Sequence, residues 1–472
     1  MTNIKDLVLP HKVAYETLVR AGELGAELNL EVYVVGGFVR DLFLGRELKE
    51  IDLMVVGDGI SFAWKLADRL GVKTIVPFRL FGTARIPYRA IPVEVASARR
   101  ESYDDYSRKP SKVIYTDLEG DLKRRDFTVN AMAMDVRPGK FGELYDPYRG
   151  IADLRAKRLV TPLNPAETFS DDPLRMLRAA YFAAELRFDL EKACVKAMRD
   201  QADRIQIVSW ERITGELLKI LKAPKPSIGL VLLQKTGLMR YVFPEIDVMY
   251  GLRQSPDWHH KDIFYHTMQV IDNAAQLTDK VEVRFAALVH DIAKPRTRRL
   301  DSDKGYTFYG HDDLGAQMVK RVAHRMKLPN DLRDYLAKMT LLHLRPIALA
   351  KEGVTDSAVR RLMVAAGDEV DDLLTLCRAD ITSKNPRLVE RYWANFERVE
   401  RRMKDVRERD AMQAFQSPVR GDVIMKVCNL PPGKKIGLIK KAIEDAILDG
   451  EIENTYDAAY EYLLKIKDKY VE

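Results

Sequence analysis

The order of apolar and polar positions divides the chain into a mixed first part and a helical remainder. Up to about residue 155, apolar residues at helical spacing alternate with short apolar runs that are typical of strands. From residue 151 onward strand patterns nearly vanish, and long amphipathic helical patterns follow. The sequence therefore predicts an α+β head on an all-helical remainder. The pattern in the head predicts helices at 10–29 and 62–70 and strands at 32–35, 73–76, 81–86 and 91–96.

Length and composition narrow the class of protein. A chain of 472 residues is too long for one core and predicts about three or four domains. Its content of 46% hydrophobic and 31% charged residues is typical of a soluble protein, and no apolar run approaches the ~20 residues that span a bilayer. The N-terminus has no signal-peptide core, and three widely separated cysteines favour a reducing cytoplasm. The net charge of +7 favours a polyanionic partner and we expect no membrane partner.

A glycine pair follows the first predicted strand. Gly36 and Gly37 lie between that strand and a short helical pattern that ends at Gly45. Glycine lets a backbone approach an anion closely, and the N-terminus of a helix favours negative charge. The segment therefore predicts a phosphate site, with an ordinary strand-to-helix turn as the alternative.

Two carboxylates follow on the next predicted strand. Glu50 and Asp52 are two residues apart, so both point to one face of the strand and can share a hard cation such as Mg²⁺. Glu94, on a later predicted strand, is a candidate third carboxylate, and a plain surface glutamate is the alternative. Beyond it, the polar and turn-rich residues 99–111 predict a mobile loop near the site.

This combination resembles the signature of the polymerase-β-like nucleotidyltransferases. The resemblance is to the bacterial class that contains CCA-adding tRNA nucleotidyltransferases and poly(A) polymerases. That family usually has Asp-x-Asp where this chain has Glu50 and Asp52. A second motif, Arg-Arg-Asp-Phe-Thr-Val-Asn-Ala at residues 124–131, matches the family's Arg-Arg-Asp-Phe-Thr-x-Asn-Ala without departure.

The arginines of this second motif have a direct chemical interpretation. Guanidinium groups can grip a triphosphate through forked hydrogen bonds, which favours Arg125 as a phosphate ligand. Asp126 and Asn130, four residues apart, offer partners for a ribose hydroxyl. The alternative is a structural role in which Arg125 and Asp126 only tie helix to sheet.

A helix is predicted to begin at Pro173, directly after two aspartates. Asp172 and Arg175 are three residues apart on one face, and a carboxylate beside a guanidinium can hydrogen-bond the Watson–Crick edges of both cytosine and adenine. In the resembled family the matching Glu-Asp-x-x-Arg selects the base, with Asp171 here in place of the glutamate. The alternative is a helix cap with a local ion pair.

Histidines and aspartates in the helical remainder follow the order His…His-Asp…His…His…Asp. This order resembles the HD superfamily of metal-dependent phosphohydrolases, and buried core histidines are the alternative. Imidazole combined with carboxylate favours a transition metal such as Mn, Ni, Co or Fe over Mg²⁺. Some CCA-type enzymes carry such a domain in active form and some in degenerate form. The residues of the predicted site are His266, His290, Asp291, His311, His343 and Asp380.

The resemblance covers nearly the whole chain and implies a multidomain α+β organisation. A nucleotidyltransferase head, with a mixed sheet and helices, is expected at 1–155, a helical neck at 156–235, an HD-type helical body at 236–400 and a helical tail at 401–472. The tail is expected to contact tRNA, through a turn with two lysines at residues 433–437. A plain loop between two helices is the alternative for that turn.

The implied activity is Mg²⁺-dependent addition of CCA, or part of it, to tRNA 3′ ends from CTP and ATP. Its catalytic residues would be Glu50, Asp52 and Glu94. A poly(A) polymerase, a CC-only or A-only adding enzyme, and an HD phosphohydrolase with an inactive RNA-binding head are the alternatives, and the oligomeric state is open. The nucleotide-binding residues in this assignment are Gly36, Gly37, Arg40, Arg125, Asp126, Asn130, Asp172, Arg175 and Arg178.

Overall fold

A computed structural model of the chain shows two compact units. The first combines Met1–Ile347 with Asp368–Tyr392, and the second combines Ala348–Gly367 with Trp393–Glu472. The structure describes residues 2–79, 82–89, 91–103, 110–253, 262–303, 305–349, 355–383, 385–414, 417–448 and 451–471.

A seven-stranded mixed sheet organises the head, in the strand order β3-β4-β5-β2-β1-β8-β9. Strands β2 and β5 pair in parallel, and every other neighbouring pair in this sheet is antiparallel. Strands β6 and β7 form a separate antiparallel pair. The strands are β1 (Glu31–Val35), β2 (Ile51–Val56), β3 (Val76–Phe78), β4 (Thr83–Ile86), β5 (Val93–Ser97), β6 (Arg99–Tyr103), β7 (Pro110–Tyr115), β8 (Ala133–Asp135) and β9 (Leu144–Tyr145).

After the exposed Glu31, strand β1 is apolar because both of its faces are buried. Tyr33 and Val35 belong to one apolar cluster with Met54 and Leu122, while Val34, which points to the other face, is also fully buried. The head helices are α1 (Lys5–Val8), α2 (Lys12–Glu27), α3 (Gly37–Leu44), α4 (Gly59–Arg69), α5 (Leu118–Lys123) and α6 (Gly150–Ala156), with a 3₁₀ turn at Thr128–Asn130.

Two sequence predictions in the head are wrong in position or type. The strand predicted at 73–76 begins only at Val76. The segment 99–111, predicted as a loop, contains β6 and the start of β7; residues 104–109 lie outside the described residues. These strands form a pair outside the main sheet, so they lack the apolar alternation by which core strands are recognised.

Helices build the rest of the chain, as predicted, with four short strands added. Parallel β10 (Arg158–Leu159) and β11 (Asp189–Leu190) form one pair, and antiparallel β12 (Arg299–Asp301) and β13 (Gly305–Thr307) form another. The helices that directly follow the head are α7 (Pro165–Asp171), α8 (Leu174–Leu186), α9 (Lys192–Asp200), α10 (Trp210–Lys222), α11 (Pro226–Lys235), α12 (Met239–Val242) and α13 (Pro244–Asp247). One 3₁₀ turn lies among them at Ala202–Ile207, and another lies later in the chain at Gly367–Glu369. The later helices are α14 (Ile263–Leu277), α15 (Val281–Val289), α16 (Lys294–Thr297), α17 (His311–Arg325), α18 (Asn330–Leu342), α19 (Arg345–Leu349), α20 (Asp356–Ala366), α21 (Val370–Ala379), α22 (Pro386–Ala414), α23 (Gly421–Cys428), α24 (Lys434–Leu448), α25 (Tyr456–Ile466) and α26 (Asp468–Val471).

Helix α10 is attached to the helices that follow it at two points. Thr214 Oγ1 donates a hydrogen bond to the carbonyl oxygen of Met326 at 2.7 Å. Arg284 of α15 donates to the carbonyl oxygens of Leu221, Lys222 and Ala223 at the end of α10, at 3.1, 2.9 and 3.3 Å. These contacts satisfy carbonyl groups that the end of a helix leaves without partners.

The second unit has its own apolar core, in which Ile424, Ile439, Ile443 and Leu463 of α23, α24 and α25 are fully buried. None of the helices that the structure describes combines the length and apolarity needed to cross a bilayer. The three cysteines are buried, unpaired thiols.

Candidate nucleotide cavity and candidate metal centre

A cavity of about 1080 Å³ lies where the sheet of the head meets α8 and α10. Of the residues predicted for the head and neck, all except Glu94 line it. The predicted residues that line the cavity are Gly36, Gly37, Arg40, Glu50, Asp52, Arg125, Asp126, Asn130, Asp172, Arg175 and Arg178.

Gly36 is a position that strongly favours glycine. Its φ is +70°, and a Cβ atom there would lie 2.8 Å from Nη1 of Arg125. Gly37 starts helix α3, whose first turn leaves backbone N–H groups without helical partners. The glycine pair therefore brings a guanidinium group and free N–H groups to one wall of the cavity, which fits an anion.

The arginines near the glycine pair are held by protein groups. Arg40 donates to Oδ1 of Asn130 at 2.8 Å and pairs with Asp41 at 2.9 Å. Arg125 pairs with the buried Asp121 at 2.9 Å. Each guanidinium is thus fixed in position before any ligand binds.

Asp126 is fully engaged within the protein. Its Oδ1 accepts from the backbone N–H of Phe127 and from the amide of Asn130, and its Oδ2 pairs with Arg178 at 2.6 Å. Burial alone would raise the pKa of Asp126, but the Arg178 guanidinium and the hydrogen bonds outweigh burial and hold that pKa below its usual range. These contacts join the Arg-Arg-Asp-Phe motif of the head to α8, as the structural alternative expects.

The predicted metal carboxylates lie at and beside strand β2. Asp52 is on the strand and Glu50 directly precedes it. Burial, followed by the charge of Glu50, raises the pKa of Asp52 to about 7. Glu94 is the register partner of Asp52 on β5, but its side chain is exposed and faces Arg85 as well. Nearby guanidinium groups only partly offset the negative charge at Asp52, and oxygen donors of this kind at a cavity wall fit a hard divalent cation.

Asp172 and Arg175 both line the cavity but do not pair with each other. Asp172 precedes α8, and its Oδ1 accepts the backbone N–H of Leu174 at 3.1 Å. Its Oδ2 pairs with Arg212 of α10 at 3.2 Å. Arg175 donates to the carbonyl oxygens of Arg124 and Thr168, at 2.5 and 3.2 Å. Asp172 thus accepts the first N–H of α8, although Pro173 occupies the cap position, and the local ion pair of the structural alternative is absent between Asp172 and Arg175.

The part of the cavity wall that α10 contributes was not predicted from the sequence. Arg212, Glu216 and Lys219 of this helix line the cavity, as does Tyr181 of α8. Lys219 pairs with Glu216 at 2.8 Å. The spacing of these three polar residues on one face of an amphipathic helix was visible in the sequence, but a solvated helix face has the same pattern.

The six residues of the HD pattern converge in one cluster, in which four are buried and the other two, His266 and Asp380, are half-buried. Their metal-binding atoms form two groups, and within each group these atoms lie within 4.8 Å of one another. One group is His266, His290 and Asp380, and the other is Asp291, His311 and His343. Asp291 also links the groups, because its Oδ2 is 3.1 Å from Nε2 of His290.

The orientation of the imidazole rings favours metal binding over core packing. Nδ1 of His290, His311 and His343 lies 2.6–2.9 Å from a backbone carbonyl oxygen, and Nδ1 of His266 lies 3.1 Å from Oγ1 of Thr382. A carbonyl oxygen only accepts, so Nδ1 carries the proton in those three rings and Nε2 is left as a donor to a metal.

The electrostatics of this cluster also fit a cation. Nε2 of His290, Oδ2 of Asp291 and Oδ1 of Asp380 are buried without a well-directed hydrogen bond from any described residue, and Nζ of Lys294 lies 2.6 Å from Oδ2 of Asp291. Burial would lower the pKa of His290, but Asp291 and Asp380 outweigh it and raise that pKa to about 10. Burial, followed by the charge of His290, lowers the pKa of His343 to about 4. The buried acids thus draw positive charge into the site, and transition-metal ions prefer this donor set.

Comparisons with known proteins identify the families that the parts of this chain match. Residues 32–160 match the family described as poly A polymerase head domain, residues 187–250 match the probable RNA and SrmB-binding site of polymerase A, and residues 263–384 match the HD domain. A multifunctional CCA protein of Tolumonas auensis is 33% identical over 369 residues, which cover 74% of this chain and 84% of that protein.

Solved structures with the same fold include two CCA-adding enzymes. The enzyme of Bacillus stearothermophilus in complex with CTP gives a TM-score of 0.60 at 23% identity and covers 97% of this chain and 98% of its own. The enzyme of Thermotoga maritima complexed with tRNA gives a TM-score of 0.57 at 20% identity, covering 98% and 99%. At these identities the likeness concerns the fold.

Proposed function

This chain belongs to the bacterial class of CCA-adding tRNA nucleotidyltransferases, and we propose on that basis that it adds CCA, or part of it, to tRNA 3′ ends from CTP and ATP. The observation that carries the proposal is the single cavity. It brings together the glycine pair Gly36-Gly37, the carboxylate Asp52 and the pair Asp172 and Arg175. Phosphate, metal and base chemistry thus share one volume.

Glu50 and Asp52 would hold Mg²⁺ in this proposal, with Glu94 as an outer carboxylate. A bound Mg²⁺ supplies activation of the primer 3′-hydroxyl and neutralises charge on the leaving pyrophosphate. Glutamate in place of the family's usual aspartate extends the side chain at residue 50 by one methylene, about 1.5 Å. Because Glu50 lies just before the strand, its longer side chain can still reach the wall formed by Asp52.

The triphosphate would lie against Gly36, Gly37, Arg40 and Arg125. Arg40 and Arg125 already have carboxylate partners, so they approach the anion in a fixed orientation and lose little conformational freedom on binding. In the same proposal, the hydrogen-bonded chain of Asn130, Asp126 and Arg178 belongs to the nucleotide site, where it holds Arg40 in place.

Base selection would fall to Asp172 and Arg175. A carboxylate accepts the amino group of cytosine or adenine, and a guanidinium donates to a ring nitrogen, so the pair recognises both bases without a template. We further propose the domain bounds 1–155, 156–235, 236–400 and 401–472, with the tail on tRNA. The buried, unpaired thiols support a cytoplasmic location.

A primer-extension assay tests this function. Transcripts of tRNA ending at the discriminator base, C or CC are incubated with CTP, ATP or both, and the products are resolved at single-nucleotide length. Addition of CCA supports the proposal, long ATP-only tails identify a poly(A) polymerase, and CC-only or A-only products identify a specialised enzyme. Asp52→Asn should abolish addition, whereas Asp58→Asn, at a helix cap outside the cavity, should not.

A second function is favoured by the convergent donor atoms of the HD cluster. We propose that it binds a transition metal and hydrolyses phosphoesters. The test is hydrolysis of a 2′,3′-cyclic phosphate in the presence of Mn²⁺, Ni²⁺, Co²⁺ or Fe²⁺. Asp291→Ala should abolish hydrolysis while CCA addition continues, and Asp52→Asn should do the reverse. No hydrolysis with any of these metals would identify a degenerate site.

A further inference from the structure

The hairpin formed by β12 and β13 is fixed at both ends to the metal cluster. At its start, Nζ of Lys294 lies 2.6 Å from Oδ2 of Asp291 and 5.4 Å from the centre of the Phe308 ring. At its end, Phe308 follows β13, and its carbonyl oxygen accepts a hydrogen bond from Nδ1 of His311 at 2.7 Å. Both Asp291 and His311 belong to the cluster. The hairpin therefore projects from the edge of the candidate metal site.

One face of this hairpin carries an arginine packed on a tyrosine. The strand register pairs Leu300 with Tyr306, and the backbone of Arg298 is extended like the strand that it precedes. Because side chains two residues apart on a strand share a face, one side carries Arg298, Leu300, Tyr306 and Phe308. Cζ of Arg298 lies over the Tyr306 ring, 3.7 Å from its centre. The ring thus holds the planar guanidinium group in one orientation.

The guanidinium group of Arg298 is held by this ring rather than by an acceptor. Its Nε is buried and has no hydrogen-bond partner among the described residues. Beside it, the side chain of Leu300 is 72% exposed, so this face of the hairpin is open to a ligand. A half-buried guanidinium group without an acceptor is suited to a phosphate, whose oxygens match the planar fork of N–H donors.

We propose that the hairpin binds a single strand of RNA whose terminal phosphate lies at the metal cluster, with Arg298 on the preceding phosphate. Phe308 lies beside the cluster, and Tyr306 is two residues farther out, about 7 Å along the strand. This separation is comparable to one nucleotide of an extended strand. The exposed Leu300 offers an apolar surface to the base. The inference rests on the proposed phosphoester hydrolysis and makes an RNA 3′ end, rather than a mononucleotide, its substrate.

Two substrates with the same reacting group test this assignment. One is adenosine 2′,3′-cyclic phosphate, and the other is a trinucleotide that ends in that nucleotide. Only the trinucleotide has a preceding phosphate. In steady-state hydrolysis, Arg298→Ala should raise KM for the trinucleotide by about tenfold, the range of one charge-assisted hydrogen bond. Its kcat, and KM for the mononucleotide, should stay unchanged. Tyr306→Leu should change KM in the same direction, whereas Tyr306→Phe, which keeps the ring, should not.

A binding measurement without turnover complements the kinetics. Fluorescence anisotropy follows the 5′-labelled trinucleotide on the full-length protein in the presence of a chelator. Arg298→Ala should weaken binding by about tenfold and reduce the slope of log K against log salt by about 0.7, the value of one phosphate contact on a single strand. Arg299→Ala is the matched control, because it removes the same charge from the next residue, which is exposed and lies on the other face.

Equal losses of binding in Arg298→Ala and Arg299→Ala would indicate non-specific attraction and overturn the inference. Unchanged binding and an unchanged KM in Arg298→Ala would overturn it too, as would an equal rise in KM for both substrates. If the wild type hydrolyses neither substrate, phosphoester hydrolysis is refuted. Anisotropy then decides the role of the hairpin alone, and a loss of binding specific to Arg298→Ala would still support an RNA-binding hairpin.

Discussion

The guanidinium of Arg175 donates a hydrogen bond to the carbonyl oxygen of Arg124 at 2.5 Å. Arg124 directly precedes the proposed phosphate ligand Arg125, so the proposed base reader is tied to the backbone of the proposed phosphate grip. The other terminal nitrogen of the same guanidinium group donates a second hydrogen bond, to the carbonyl oxygen of Thr168. The distance between base and phosphate sites is therefore set by the protein before a nucleotide binds.

Arg175→Lys should impair catalysis more than folding. Lysine keeps the charge but cannot form the planar fork, so we expect kcat/KM for CTP and ATP to fall by at least about tenfold. Primer-extension kinetics and a thermal melt measure the two effects. Arg204→Lys is the control, because Arg204 also binds a backbone carbonyl group but lies outside the cavity. If Arg175→Lys loses as much thermal stability as the control and its kcat/KM is unchanged, the role of Arg175 in base selection is contradicted.

Gly36→Ala should reduce both stability and nucleotide binding. The backbone at residue 36 has a φ of +70°, and the new methyl group would meet Arg125, so we expect a loss of about 1–3 kcal/mol in the free energy of unfolding. Binding of CTP should weaken as Arg125 is displaced. Urea unfolding and calorimetry measure the two effects.

Gly45→Ala separates backbone strain from the clash. Gly45 also has a positive φ, +61°, but a Cβ atom there meets nothing within 4 Å. We expect a loss of about 1–2 kcal/mol in the free energy of unfolding and no change in CTP binding. If Gly45→Ala weakens CTP binding as much as Gly36→Ala, the clash with Arg125 is not the cause.

Asp126→Asn should remove a pH-dependent part of the stability. Because Arg178 holds the pKa of Asp126 below its unfolded value, the contribution is present above the unfolded pKa of about 3.9 and is lost as pH falls through the lower folded pKa. We expect the variant to lose about 1.5–3 kcal/mol at pH 7. Denaturant melts from pH 7 to pH 3 should show wild type and variant converging below about pH 4. Parallel curves over the whole range would show that the ion pair is not the source.

Metal binding at the HD cluster should stabilise the folded chain. At about 100 times its dissociation constant, Mn²⁺ should add about 2.7 kcal/mol, and chelation should reverse the gain. His311→Ala should abolish the gain and lower the metal content per chain, measured by plasma mass spectrometry. His324→Ala removes an exposed histidine from the same helix and should keep both. Equal metal content in the two variants would locate the metal elsewhere.

The sequence predicted those parts of the site that depend on local backbone chemistry. Glycine readily adopts the positive φ that the turn at Gly36 requires, and Asp52 lies on a strand with a regular apolar pattern. Both features could therefore be recognised from a few neighbouring residues. The partner of Asp172 was not predictable, because Arg212 lies 40 residues away on a helix whose polar face resembles a solvated surface. Pairing of that kind depends on how α8 and α10 pack, which the order of residues does not reveal directly.

The difference between local patterns and packing also explains which parts of the fold could be predicted from the sequence. Apolar runs and helical periods identified the core strands and the long helices, because burial fixes them. The pair β6 and β7 was missed, since it lies outside the main sheet and its polar sequence resembles a loop.

The grip of Arg284 on the end of α10 has a consequence for how such a chain can change over generations. A deletion that ends the chain near residue 235 would remove Arg284 and Met326, and it would expose the carbonyl groups of Leu221, Lys222 and Ala223. The helix that carries Arg212 would then lose its anchor. Mutations can inactivate the histidine cluster one residue at a time without removing these contacts, whereas deletion of the body removes all of them. An inactive HD domain in this architecture would therefore be retained as the scaffold of the nucleotide cavity.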